Sequence, residues 1–489
     1  RSVMSDTNRV QLGLTEEATL GTIPATPPIQ ALRITNAPSL SFEPNTVVSE
    51  EIRSDRQISD LILVGAEAGG EVGFELSFEA LDTIMGGALQ NTFTELAHRV
   101  GQPTEITSIA ANVATVVDTT GGGGLAFAEG MVVSFENFAI TANNGVFRVE
   151  AASSATTINI TGLALEATPP ADAAIHQVGC QGVAGDITAT AGATNSLGST
   201  TLDFTAMGII PGMYIKIDST TAGNGFATTA NNDWVKVESV TANQVVLSEV
   251  PAGWATDAGA GQTIALYYGD TLVNGSVLRT FSLEEQFTDH SPVTYQYFFG
   301  QGINTLSLAL ASQSIVSATA GFFGTTALFT TTREAGATDI AAPTNTVLNS
   351  SSNVARIARG GVPISGANFV LEASVDINNN LRRLPAVGFL GAIDIGSGEF
   401  SVTGNLSTYF DDASIAQDVI DNAETSFNLI FQDDVDHALV IDLPRIKFSS
   451  GSPEVPGKNQ NVTIPLEYQA IRDPSLGYTM AVQRLYFVA

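Results

Sequence analysis

Basic residues are scarce in this chain. Lys and Arg together number 20 of 489 residues against 50 Asp and Glu, only four are lysine, and the formal net charge is −30. Affinity for a phosphate backbone or an anionic membrane surface comes mainly from Lys and Arg, so both classes of partner are disfavoured. Charge of either sign is dilute, 14% of residues, yet the 44% hydrophobic content is too high for an intrinsically disordered chain. The chain is therefore expected to fold, and its length suits about three domains. No run approaches the roughly 18 apolar residues of a spanning helix. The opening RSVMSDTNRVQ has no apolar signal core, so neither membrane insertion nor Sec export is expected.

The usual carriers of chemistry are thin as well. One cysteine, Cys180, excludes an intrachain disulfide and any multi-cysteine metal site, and its flanks HQVGCQG hold no base, so it reads as a small packed side chain. The four histidines, His98, His176, His290 and His437, are far apart in sequence with no metal spacing, and each reads as an ordinary strand or turn residue. There is no G-x-S-x-G elbow. GGGG at 121–124 lacks a following Lys-Ser/Thr, so it is read as a flexible loop and not a P-loop. DINNN at 376–380 lacks the Gly and closing Glu of a calcium loop and reads as a hairpin turn. The acids Asp411, Asp412, Asp418, Asp421 and Glu424, and the run QDDVDH at 432–437, have no apolar setting to raise a carboxyl pKa. No motif supports an enzyme, and no metal or cofactor is expected.

What the sequence does contain is period-2 alternation. In GGEVGFELSF, Val72, Phe74, Leu76 and Phe78 alternate with Glu71, Gly73, Glu75 and Ser77. In EFSVTGNLSTYF, Phe400, Val402 and Leu406 alternate with Glu399, Ser401, Thr403, Asn405 and Ser407. Such alternation predicts half-buried strands and a mainly β protein. Further strands are expected at 277–287, 303–310, 368–377, 426–431, 438–443, 461–469 and 478–487. A helix is expected at about 79–89, where Leu81, Ile84, Met85 and Leu89 share a face, and a short one near 413–420. The polar stretch 331–361 reads as a long loop.

Between 104 and 270 the composition shifts toward Ala, Thr, Asn and Gly, and an internal repeat emerges. GMVVSF at 130–135 matches GMYIKI at 212–217, and ANNGVFRVE at 142–150 matches ANNDWVKVE at 230–238. Two tandem β-modules are predicted, 104–186 and 187–270, each large enough for its own small core, with ANN forming a turn. The flanks, 1–103 and 271–489, read as one domain interrupted at a surface loop, so excising 104–270 is expected to leave them able to fold.

Read together, the flanks resemble the tail tube proteins (major tail proteins) of long-tailed, non-contractile bacteriophages. The resemblance runs through NRVQLGLTEEATLGTIP at 8–24 and the segments 49–85, 274–324 and 378–412, and ends in LPRIKFSS and LEYQAIRDPSLGYTMAVQR. It implies a tube-forming β-sandwich or barrel domain with one flanking helix, six copies closing into a ring, and rings stacking into a hollow virion tail that conducts DNA during ejection. Implied partners are further copies of the chain, a tape-measure protein, a tail terminator and baseplate proteins, with DNA passing without specific binding. If the alternating face lines the channel, then Glu71, Glu75, Glu399, Ser401, Thr403, Asn405 and Ser407 line it. The segment EEIRSDRQISDLIL at 50–63, with Glu50, Glu51, Arg53, Asp55, Arg56 and Asp60, is expected to make subunit or ring-to-ring contacts. The inserted modules have no room in a lumen sized for one duplex and should project outward. Adhesion to a host-surface glycan and bracing of the ring both suit that position. The competing reading is a secreted or surface β-domain adhesin that binds glycans; an enzyme such as a depolymerase ranks third, for want of a carboxylate pair in an apolar setting.

Overall fold

The computed structural model describes residues 6–35, 38–101, 104–117, 126–364, 369–410 and 413–489. The GGGG loop at 121–124 and the pair Asp411 and Asp412 lie outside these. The chain is mainly β, built around one large sheet system from the flanks, antiparallel except where Pro28–Ala31 pairs with Thr338–Ile340, and a second system from the middle. Ten strands of the flanks matter most here: β1 (Ser41–Val48), β2 (Leu61–Glu75), β3 (Thr294–Ala311), β4 (Ser317–Gly324), β5 (Val370–Asn378), β6 (Arg382–Pro385), β7 (Ala392–Gly396), β8 (Ser401–Tyr409), β9 (Ala438–Gly451) and β10 (Thr463–Ala470). They pair in the order β2-β4-β3-β5-β8-β10-β9, every neighbour antiparallel.

Two long strands turn this sheet into a sandwich. The C-terminal half of β3 pairs with β4 and β5, while its N-terminal half pairs with strands Thr280–Phe287 and Thr326–Thr330. β9 does the same, passing from β10 to the strands Glu424–Gln432 and Ala481–Leu485. Between the layers, Val72, Phe74, Leu76, Leu306, Leu308, Phe322, Val375, Ile377, Val402 and Leu406 form one buried cluster. These are the apolar members of the alternating runs, as the period requires.

The predicted helix is α1 (Asp82–Ala88), and Leu81, Ile84, Met85 and Leu89 are all buried in that cluster. It lies directly on the sheet: a Cβ on Gly87 would meet Ile303 Cδ1 at 2.6 Å. Asn379, in the turn after β5, fastens it there by donating to the carbonyls of Ala88 and Ile303 at 2.8 and 2.9 Å. The second helix is α2 (Ser414–Ile420). The expected loop at 331–361 is only partly a loop. Val354–Arg359 is a strand paired with Glu424–Gln432, disguised in sequence because Arg356 and Arg359 are neutralised by remote acids, Glu249 and Asp418.

Among the described residues each copy of the repeat has six strands. The first uses 106–110, 113–116, 131–136, 145–148, 157–159 and 174–181, and the second 188–190, 195–198, 214–217, 234–241, 244–249 and 265–267. The ANN turns are short 3-10 segments with matching hydrogen bonds. The buried Asn143 side chain bonds both backbone groups of Ala164, and Asn231 bonds both of Ala255. Asn144 and Asn232 do likewise with Phe138 and Phe226. The two copies are not two cores: strand Ala174–Gln181 pairs with Ala265–Tyr267, and a single buried cluster runs from Leu96 to Tyr268 through both.

Candidate functional site

The face of the large sheet turned away from its core is polar across all seven strands. Paired residues project to the same side, so the register places Glu71, Gly321, Thr305, Asn378 and Ser401 in one row. Gly73, Thr319, Ser307, Asp376, Thr403, Gln469 and Lys447 form the next. Glu75 with Ser317, and Asn405 with Glu467, continue the pattern. The face therefore brings together Glu71, Glu75, Ser401, Thr403, Asn405 and Ser407, with Glu399 exposed just ahead of β8. Three acids that sequence reading missed lie on it too: Glu372, Asp376 and Glu467. Alternation in VLEASVDIN and TIPLEYQA was the available signal. Asp376 is held by the hydroxyls of Ser307 and Ser374, the latter at 2.8 Å. The one Lys of these rows, Lys447, stands at the β9 edge, 3.3 Å from Glu424.

The segment 50–63 forms the tip and part of the shaft of an arm in which β1 pairs back on the first half of β2. Glu50, Glu51, Arg53, Asp55, Arg56 and Asp60 are all exposed at the tip, and they contain one ion pair, Arg53 to Asp55 at 2.9 Å. The Arg56 backbone has φ 62°, the left-handed region, which suits a tight turn. What the charges concealed is the apolar surface around them: Val47, Val48, Ile52, Ile58, Leu61, Ile62, Leu63 and Val64 are exposed, Ile52 to 99%. Sequence reading assigned 50–63 to contacts between copies on its charges and the family resemblance, and gave its apolar end no separate role, because nothing local says that the core is elsewhere.

The middle region joins the flanks through a buried seam. Val132, Val178, Tyr214, Trp234 and Tyr267 pack on Ile430, Val440, Leu485 and Val488. Lys236, 4% exposed, donates to both carboxylate oxygens of Asp442, 2% exposed, at 2.9 and 2.8 Å. Burial raises the Asp442 pKa from its ordinary value, and Lys236 opposes that rise. The Gln483 amide bonds both backbone groups of Tyr214, at 2.8 and 2.9 Å. Excision of 104–270 would uncover this surface, so the flanks alone do not present a finished exterior.

Three of the four histidines meet at the same seam, which their sequence spacing hid. His98 and His176 are cross-strand partners with rings 6.2 Å apart, His176 stacks on Tyr486 at 3.9 Å, and Phe78 stacks on His437 at 4.4 Å. Burial lowers the His176 pKa to about 3. Burial also opposes charge on His437, but Asp433, 2.9 Å from its Nδ1, together with the charges of Glu136 and Glu79, raises the pKa. Cys180 is buried and its thiol pushed up to about 12, consistent with a packed side chain. Among the described residues no group of three His, Cys, Asp or Glu could hold a metal, and no helix is long and apolar enough to cross a membrane.

A sequence-family profile described as phage tail tube protein matches residues 7–233 and 227–470. No curated protein is similar enough to count as a relative.

Proposed function

Since the chain belongs to the phage tail tube protein family, a structural component of the virion tail, we propose that it closes six to a ring, that the rings stack into the hollow tail, and that the seven-strand polar face lines the channel crossed by DNA during ejection. The observation that carries this is the face itself. A wide, wet, acid-bearing sheet surface backed by a continuous apolar core suits the wall of an aqueous lumen. Glu71, Glu75, Glu372, Asp376, Glu399 and Glu467 then present carboxylates to the duplex. A wall of Lys and Arg would gain binding by counterion release and hold the DNA. An acidic wall leaves the duplex hydrated and mobile, over a range of roughly 8 Å at physiological salt. Closure between copies would also pair strand edges left open in one subunit.

In this reading 1–103 and 271–489 form the tube domain, and 104–186 and 187–270 are modules projecting outward. Their seam supports this, because it lies on Glu424–Gln432, the first half of β9 and Ala481–Leu485, in the layer away from the polar face. A rigidly seated module can brace the ring or present a surface to a host glycan. The arm at 50–63 makes contacts between copies, and the tape-measure, terminator and baseplate proteins are the other expected partners. The test is twofold. Purified protein should form rings or tubes by negative-stain microscopy, where monomers only would defeat the reading. Glu75→Lys with Glu399→Lys should leave the subunit folded and slow DNA ejection, most at low salt. Unaltered ejection would show that the face looks elsewhere.

A further inference from the structure

The arm is apolar on both sides. Val48 pairs with Leu61 and Thr46 with Leu63 on one face, and Val47 pairs with Ile62 on the other. A two-stranded ribbon is marginally stable in water by itself, and a solvated one has no use for two apolar faces. β2 leaves the sheet before Ala68, so residues 61–67 carry the arm about 23 Å outward at roughly 3.3 Å per residue. That reach is enough to place its tip on another molecule.

A second exposed apolar patch lies at the root of the arm. The β6–β7 hairpin shows Leu384, Val387, Phe389, Leu390 and Ile393 to solvent. It is firmly held: the Leu390 carbonyl accepts from Ala66 N at 2.9 Å, and Arg383 pairs with Glu67 at 2.9 Å and stacks over Phe323 at 3.8 Å. The arm exposes eight large apolar side chains and the hairpin five, grouped rather than scattered singly, which is the pattern of an interaction site. Both remain uncovered within one copy. Their net charges are opposite: the tip has four acids, Glu50, Glu51, Asp55 and Asp60, against Arg53 and Arg56, whereas the hairpin carries the exposed Arg382 and the Glu67-paired Arg383 against one acid, Asp394.

Building on the tube reading, we propose that the arm tip of one copy lies across the β6–β7 hairpin of a second copy, with Ile52 and Ile58 against Val387, Phe389 and Ile393 and the tip carboxylates beside Arg382. Because the two patches differ, the contact is head to tail, the kind that propagates into a closed ring or a filament. The occupant is another copy of this chain.

The experiment uses full-length chain with the buried Cys180 left in place. Ile58→Cys and Val387→Cys are made separately, mixed, assembled and treated with a short bis-maleimide. A covalent dimer in the mixture, and little in either protein alone, is the expected result. Tubes visible by microscopy with no mixed dimer would overturn the docking while leaving the tube reading intact. Absence of any ring or tube from the unmodified chain would remove both. Should the cysteine variants fail to assemble, hydrogen exchange on unmodified monomer and tube decides: segments 61–64 and 387–393 should slow together by about tenfold or more, and unchanged exchange in either overturns the proposal.

Discussion

Lys236→Met removes the ammonium that holds Asp442 and leaves a buried carboxylate facing Tyr214 and Glu249, whose hydroxyl and carboxylate lie near it. Removing one partner of a buried ion pair costs about 3–5 kcal/mol, because the remaining charge is neither solvated nor paired. An exposed pair would cost at most about 1 kcal/mol. The deficit should depend on pH with a definite sign. The Asp442 pKa is raised in the folded chain even beside Lys236 and should rise further without it. Between its unfolded value and that raised value the folded state binds the extra proton, so the stability of the variant falls as pH increases across the window. Urea unfolding at pH 4.5 and pH 7.5 should therefore show a smaller deficit at the lower pH. Lys236→Met with Asp442→Leu, which removes both charges, should recover most of the loss. A single-variant cost below about 1 kcal/mol at neutral pH would mean that water reaches the seam and the middle region is not seated as described.

Other outcomes follow from the same structure. Replacing 104–270 by a Gly/Ser linker should give a chain that aggregates, and substituting Ile430, Val440 and Leu485 by polar residues together with Asp442→Asn should restore solubility; a soluble, folded deletion without those changes would show the seam to be dispensable. Arg53→Glu with Arg56→Glu should leave a folded subunit that makes shorter tubes, and Leu61→Ser with Leu63→Ser should shorten them more, as read from length distributions in negative stain. His437→Gln should cost more stability at pH 5.5 than at pH 8.5. The raised His437 pKa gives stability that fades as pH rises through it, and the lowered Asp433 pKa gives stability that fades only as pH falls through it, so the pair contributes most between about pH 4 and 6.5; equal costs at both pH values would assign His437 to stacking on Phe78 alone.

Whatever depended on local period was legible in the residues themselves. Val72, Phe74 and Leu76 point inward and Glu71 and Glu75 outward because a strand alternates faces, and the α1 residues Leu81, Ile84, Met85 and Leu89 share a side because a helix repeats every 3.6. The tandem repeat was equally plain, since matched turns need matched Asn. Tertiary structure alone decided which segments meet. It brought His98, His176 and His437 to one seam, set Lys236 against Asp442 across 206 residues, merged the two repeats into one core, and turned a polar-looking stretch into the strand Val354–Arg359. It also left LILV at 61–64 uncovered, although by composition that run is indistinguishable from core. The reason is physical: alternation encodes which side of a strand is apolar, but whether anything covers that side depends on pairings between residues hundreds of positions apart.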